Sequence, residues 1–319
     1  MVYQEELKEL DRLQAAELSS EQVVKVYVVH NPEAGSYDSV VVRKMLEQYF
    51  INRNWEYTIY EITGQEVATE LVRTAAEQGY ELFIAAGGDG TVSSVASGLV
   101  GTGLPMAIIP AGTVNALARE LKIPFDLGEA LGLLGRQHAI AEIDALQVGA
   151  QFFLLEVGVG IGSLSMHETE RYQIRRFGRL AYFWPGLKHL LNFQPQRFNL
   201  VVDGHRYRVR AAEVVVVSAS TLRGSPLRWG PNIRPDDGQV EACIIRARTA
   251  LDYFRLGYNM ILQQESRDPS IRYLPVKWEI TIDVKRPLPV EGDGEIIGQT
   301  PVRVQVVPQA VRIIVPGGG

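Results

Sequence analysis

Residues 85–94 read AAGGDGTVSS, a run in which Gly87, Gly88 and Gly90 surround a single aspartate, Asp89, and Thr91 closes the motif. Before it, YELFIA has the character of a short apolar strand. After it, TVSSVASGLVG places apolar residues at helical spacing. Strand, glycine turn and helix follow in that order. Such a turn leaves the unpaired N–H groups of a helix N-terminus, and the positive end of its dipole, facing whatever lies above the sheet. A phosphate is the group that arrangement holds best. Glycines can also serve only to make a tight turn, and Asp-Gly is a common hairpin turn. The strand-turn-helix setting favours the phosphate site.

Working outward, the first half alternates strand and helix. KVYVVHNP (25–32) reads as a strand and turn, SVVVRKMLEQYF (39–50) as a helix and EYTIYEI (56–62) as a strand. A helix at 66–78 is stopped by Gly79, and the strand LPMAIIP (104–110) is followed by a helix, VNALARELKI (114–123), that ends at Pro124. This order predicts a parallel sheet covered by helices, with ligands bound beyond the carboxyl ends of its strands. Three glycine-bearing loops fall on that rim: NPEAG (Asn31, Pro32, Glu33, Ala34, Gly35), GGDGT (87–91) and PAGT (110–113).

After about residue 145 short strand-like runs separated by turn signals dominate, among them FFLLEVGVG (152–160), PVRVQVVP (301–308) and AVRIIVP (310–316), and they predict a largely antiparallel second domain. Asp203-Gly204 is a hairpin turn between two of them, and helices are expected near 171–192 and 250–265. The expected division is a helical extension over 1–22, an α/β nucleotide-binding domain over 23–145 plus 300–319, and a β-sandwich domain over 146–299.

Composition narrows the chemistry. The chain has 319 residues and a net charge of -5, which argues against a general nucleic-acid binder. Its one cysteine, Cys243, cannot form a disulfide framework and reads as a small buried residue; five scattered histidines show no zinc-ligand spacing. No apolar stretch is long enough to cross a bilayer and no secretory signal is present, so the cytoplasm is the expected location. The glycine loop lacks the lysine of a P-loop, and protein-kinase motifs are absent. The basic and aromatic stretch 171–193 suits an anionic membrane surface and equally a helix with one solvated basic face.

Two acidic clusters stand out. Asp237, in NIRPDDGQVEA, reads equally as a turn residue or a metal ligand. Asp293 lies between Glu291 and Glu295 in EGDGEII, and three carboxylates within five residues repel one another unless a cation or a proton-transfer task employs them.

Together NPEAG, GGDGT, PAGTVNALAREL, RFGRLAY, PDDGQVE and DGE, in that order from about Lys25 to the C-terminus, resemble the diacylglycerol kinase catalytic-domain family, specifically the bacterial lipid kinases related to sphingosine and ceramide kinases. The resemblance implies an α/β domain, a β-sandwich and a C-terminal segment that returns to the first domain. It implies an ATP- and Mg2+-dependent kinase acting on a lipid hydroxyl, diacylglycerol or a sphingoid-type lipid, at a membrane surface to which the chain binds peripherally; a homodimer stays open. By resemblance, Asn31 to Gly35, Thr63, Gly87 to Thr91, Thr113 and Asn115 bind nucleotide. Asp89 matches the essential aspartate, Asp144 another acidic residue of the cleft, and Glu295 the proton acceptor with Asp293 beside it. Asp237 matches a structural Mg2+ ligand, joined by the backbone carbonyls of Arg234 and Gln239. The chain departs from the family at Ser93-Ser94, where Asn-Glu is common, at Ala116, and at Ser218 or Ser220, where the sandwich usually offers an asparagine. An NAD kinase and a nucleotide-binding protein without catalysis are the rival readings.

Overall fold

The computed structural model describes residues 24–35, 37–63, 68–135, 138–164, 195–222, 227–230 and 233–317. The expected helices at 1–22 and 171–192 lie outside the described residues.

Four strands, β1 (Lys25–His30), β2 (Glu56–Glu61), β3 (Leu82–Gly87) and β4 (Pro105–Pro110), pair in parallel in the order β2-β1-β3-β4. β3 is buried at every residue, because helices cover both its faces, whereas the edge strand β2 alternates between exposed and half-buried residues. On one face lie α1 (Ser39–Asn52), through Val42, Leu46 and Phe50, and α5 (Leu127–Gly132). On the other lie α2 (Thr69–Glu77) and α3 (Asp89–Leu99), which bury Val72, Ala75, Val92, Val95 and Leu99 against Phe83, Ala85 and Ile108. α1 starts where Asp38 accepts the Val40 N–H, and Gly79, in the left-handed region, follows the end of α2. The helix expected over 114–123 is shorter: α4 covers only Ala116–Glu120, because Asn115 before it is left-handed (φ 50°).

The sheet continues beyond β4. Strand β16 (Val302–Pro316) runs parallel to β4 near its end and antiparallel to β13 (Glu279–Val284) near its start. Along most of its length it also pairs with β5 (His138–Val148). The two runs read separately at 301–308 and 310–316 are thus one strand, interrupted only by a bulge between Val307 and Val311, where Gln309 is left-handed. β13 pairs with β8 (Gln196–Val202) and β8 with β9 (His205–Ala211) through the Asp203-Gly204 hairpin.

A second, antiparallel sheet has the order β12-β11-β10-β7-β14-β15, with β7 (Glu156–Gly160), β10 (Glu213–Val217), β11 (Val240–Ile245), β12 (Ile271–Val276), β14 (Pro289–Gly292) and β15 (Glu295–Gln299). Val157, Val214, Val216 and Ala242 from this sheet meet Phe198, Leu200, Ile280 and Val304 from the first, which forms the sandwich core. Its outer face carries Cys243, fully buried, under Leu256 and Met260 of α6 (Ala250–Ile261). The run FFLLEVGVG, expected as one strand, splits into β6 (Gln151–Phe153), which pairs with β5, and β7, in the second sheet.

On β10, Glu213 accepts the Gly162 N–H at 3.0 Å. Burial raises its pKa, the Gly162 bond lowers it and the charge of Glu156 raises it, and the result is pushed up to about 7 from the ordinary 4.5. The folded chain therefore holds this proton where an unfolded glutamate has lost it. The stability contributed by this group is complete below about pH 4.5 and is lost as the pH rises to about 7. Glu213→Gln is expected to exceed the parent in stability by about 3 kcal/mol at about pH 8 and to match it at about pH 4, read from urea midpoints.

Candidate functional site

The three glycine loops lie together on the rim above β1, β3 and β4, as the parallel order requires. Two of them touch backbone to backbone. The Gly87 carbonyl accepts the N–H groups of Ala111 (3.0 Å) and Gly112 (3.2 Å). A Cβ on Gly112 would lie 2.8 Å from Asn115 Oδ1 and 3.2 Å from the Gly88 nitrogen, so a side chain there would force the loops apart. The buried Asn115 holds the turn, its Oδ1 accepting the Gly112 N–H at 3.1 Å and its Nδ2 donating to the Gly112 carbonyl at 2.7 Å.

Asp89 is the first residue of α3, after Gly88, which has no side chain with which to cap the helix. Its Oδ1 accepts the Ala116 N–H at 2.6 Å, so one carboxylate ties the start of α3 to the start of α4. Asn31 joins the first loop to this pair: its N–H donates to the Ala86 carbonyl (2.9 Å), its Nδ2 donates to Thr91 Oγ1 (3.4 Å) and its Oδ1 accepts the Glu33 N–H (3.0 Å). Pro32, Glu33 and Ala34 complete that turn, and a Cβ on Gly35 would stand 4.0 Å from Thr113 Oγ1. Thr63, exposed, follows β2 on the same rim. The uncapped α3 N-terminus, glycine backbone and three converging loops form a cradle with the charge and shape for phosphate.

The second sheet brings its own carboxylates to this rim. The sequence placed Glu291, Asp293 and Glu295 within mutual repulsion, but the β14–β15 turn separates them. Glu291 is buried, with its side chain against Gly158. Asp293, buried and left-handed at φ 44°, accepts four hydrogen bonds: Ser93 Oγ (2.6 Å) and the Leu154 N–H (2.9 Å) on Oδ2, and the Leu155 and Glu156 N–H groups (both 3.0 Å) on Oδ1. These donors neutralise the charge locally, and the three backbone N–H groups explain why the chain leaves β-pairing between β6 and β7. Glu295 is exposed, and its Oε1 lies 3.7 Å from the position a Cβ on Gly90 would occupy, above the first turn of α3.

Asp144 is fully buried on β5. Its Oδ2 accepts the Gly238 N–H (2.7 Å) and its Oδ1 the Gln309 N–H in the bulge of β16 (2.9 Å), while its own N–H donates to the Pro235 carbonyl (2.7 Å). Burial raises its pKa, the two N–H donors oppose this, and the charges of Asp237 and Asp236 raise it further. In the loop beside it Arg234 pairs with Asp236 (Nε to Oδ1, 3.0 Å), and Asp237 Oδ1 accepts the Gln239 N–H at 3.2 Å. No group of three or more His, Cys, Asp or Glu side chains among the described residues is arranged around a metal ion. The Asp237 carboxylate and the Arg234 and Gln239 carbonyls are all oxygen donors, the type that could serve a hard cation.

The positions at which the chain departs from the family take up contacts around the site, and Glu120, Thr221 and Arg228 join them without any signal in the sequence. Ser93, expected as a departure from the asparagine common in the family, is a direct donor to Asp293. Ser94 Oγ accepts the Ala68 N–H at 3.2 Å, which packs α2 on α3. Of the two sandwich serines, Ser218 Oγ donates to the Asp144 carbonyl (3.3 Å), and Ser220 Oγ donates to Glu120 Oε1 (2.8 Å) at the end of α4. Glu120 also accepts from the Thr221 N–H (2.9 Å) and hydroxyl, and Arg228 stands 3.7 Å away.

Comparison with known proteins agrees with this geometry. The family model of the diacylglycerol kinase catalytic domain matches residues 25–148, and that of the YegS C-terminal NAD kinase β-sandwich-like domain matches residues 156–315. An uncharacterized protein of Synechocystis sp. is 26% identical over 303 residues, 91% of this chain and 70% of that protein. The diacylglycerol kinase of Bacillus subtilis is 24% identical over 295 residues, 91% of this chain and 95% of that enzyme. The crystal structure of a diacylglycerol kinase from Bacillus anthracis superposes with a TM-score of 0.74 at 23% identity, over 93% of this chain and 98% of that one, a likeness of fold. The glycine cradle on a parallel sheet, the NAD kinase-like sandwich behind it and both matching models place this chain in the diacylglycerol kinase catalytic-domain family.

Proposed function

We propose that the chain is a lipid kinase that transfers the γ-phosphoryl group of MgATP to the hydroxyl of a lipid, diacylglycerol or a sphingoid-type lipid. The observation that carries this reading is the meeting of the two halves at one helix turn: the GGDGT cradle with Asp89 from below, and Glu295 from the sandwich above. Its kinship with lipid kinases supplies the reaction class.

In this reading the triphosphate lies on the N–H groups of the α3 N-terminus and the adjoining loop, with Asn31, Gly35, Thr91 and Thr113 along its path. The lipid hydroxyl oxygen attacks the γ-phosphorus in line, the bond from that phosphorus to the bridging oxygen of ADP breaks, and the hydroxyl proton passes to a carboxylate, for which exposed Glu295 is placed. An alcohol is a weak acid, but the transition state is loose, so alignment and charge neutralisation carry most of the acceleration. Asp89 holds the two glycine loops in register and lies at the phosphate end of α3. Asp293 acts as a positioning residue, since its oxygens are engaged by four donors that set the distance of Glu295 from α3. Asp144 braces the joint between the two halves through Gly238 and Gln309, and Asp237 with the Arg234 and Gln239 carbonyls would hold a structural Mg2+ beside it. The chain binds peripherally at a membrane from the cytoplasmic side, where its acceptor lies.

The deciding assay is Mg2+-dependent ADP release with diacylglycerol, sphingosine and ceramide in mixed micelles, and with NAD. Turnover with one lipid is expected; turnover with NAD alone would convert the reading to an NAD kinase, and ATP binding without ADP release to a non-catalytic protein. Asp89→Asn is expected to lower kcat about 100-fold or more while the fold persists, as far-ultraviolet circular dichroism would verify. Asp293→Asn leaves at least one backbone donor without its charged acceptor and is expected to cost about 2 kcal/mol of stability, against about 1 kcal/mol for Ser93→Ala, both measured by urea denaturation. Gly112→Ala should weaken ATP binding about tenfold or more by calorimetry, since the loops cannot close with a Cβ between them.

A further inference from the structure

α6 is amphipathic on both sides. Leu256 and Met260 face the outer surface of the second sheet and are buried there, while Leu251, Phe254, Tyr258, Ile261 and the following Leu262 lie between 45% and 77% exposed. At 100° per residue these five cover one stripe along the helix. They are five of the twelve large apolar side chains exposed among the described residues, four of them on this 12-residue helix and the fifth at the residue after it. Each leaves apolar area in water, and scattered exposure elsewhere does not explain a continuous stripe.

The charges around the stripe identify its occupant. The chain as a whole carries -5, yet Arg246 and Arg248 stand exposed just before α6, while Arg255 offsets the acids beside the helix by pairing with Asp268 (3.3 Å) and Asp252 (3.6 Å). Asp252 is occupied at the helix start, where it accepts the Arg248 and Thr249 N–H groups at 2.9 and 3.0 Å in a capping box. The helix is therefore held firmly at its N-terminus and shows solvent an apolar stripe with two exposed arginines, Arg246 and Arg248, at its N-terminal end. Phenylalanine, tyrosine and aliphatic side chains beside arginine suit the interface of an anionic bilayer, where the apolar stripe enters the acyl boundary and the guanidinium groups meet phosphates.

We propose that the outer face of α6 is a membrane-docking surface that inserts Leu251, Phe254, Tyr258, Ile261 and Leu262 into the headgroup region of an anionic bilayer. The inference rests on the lipid-kinase reading for the choice of a bilayer over a protein partner, and it adds the surface by which the chain would reach its acceptor.

The test is sedimentation of the full chain, without nucleotide, on vesicles of phosphatidylcholine with and without phosphatidylglycerol. The parent is expected to bind the anionic vesicles with salt-sensitive affinity. Phe254→Ser with Ile261→Ser should reduce that affinity about tenfold or more. Arg246→Glu with Arg248→Glu should remove most of the preference for phosphatidylglycerol. Unchanged binding by the serine variant would overturn the proposal. So would a change of its mass in lipid-free solution, which would make the stripe a contact between copies, or a clear fall in its melting temperature, which would mean that the chain itself covers the stripe. Turnover of a micellar lipid reads the kinase assignment separately. Turnover without vesicle binding discards the docking surface alone, and vesicle binding without turnover discards the kinase reading alone.

Discussion

β16 must satisfy β4 on one half of its length and β13 on the other, and this double pairing places both halves of the chain in one continuous sheet. A strand pairs through backbone groups at fixed spacing, so the two halves cannot shift along each other without breaking the ladder. The bulge between Val307 and Val311 re-aims the strand between its two environments, and Asp144 accepts the N–H that the bulge turns out of the ladder at Gln309. The cleft above the glycine loops inherits its geometry from that arrangement.

Carboxylates make the remaining joints. Asp293 accepts three backbone N–H groups and one hydroxyl, Glu120 engages Ser220 and Thr221, and Asp203 accepts the Lys277, Trp278 and Glu279 N–H groups beside its hairpin. Each is a charged acceptor facing donors that a turn or strand end would otherwise leave unpaired. Such bonds are stronger than neutral ones and costly to leave unmade in a buried site. Asp293 and Glu295 are two residues apart and opposite in exposure, because the left-handed turn at Asp293 sends one side chain inward while the next strand begins at the other. This chain's Ser93 fits the same scheme: it differs from the commoner family residue, yet it supplies a hydroxyl at 2.6 Å to the carboxylate that needs it.

The parallel half was legible because its signals are local. Apolar runs of strand length, helices at a 3.6-residue period, and glycines where a backbone must come close all act within a few residues. The rim position of NPEAG, GGDGT and PAGT followed from the alternating order alone, and the structure brings these three loops into contact. The ordered motifs also carried the resemblance to the family that the comparisons show.

The sequence by itself determined the element types, the parallel rim and the chemical character of the loops, since each depends on neighbours in the chain. Tertiary structure alone decided that 301–308 and 310–316 are one strand, that FFLLEVGVG divides between two sheets, and that three crowded carboxylates are housed apart. Those outcomes depend on which distant backbone groups remain unpaired. Asp293 and Ser93 are 200 residues apart in the chain, and only the folded sheets say that one will meet the other.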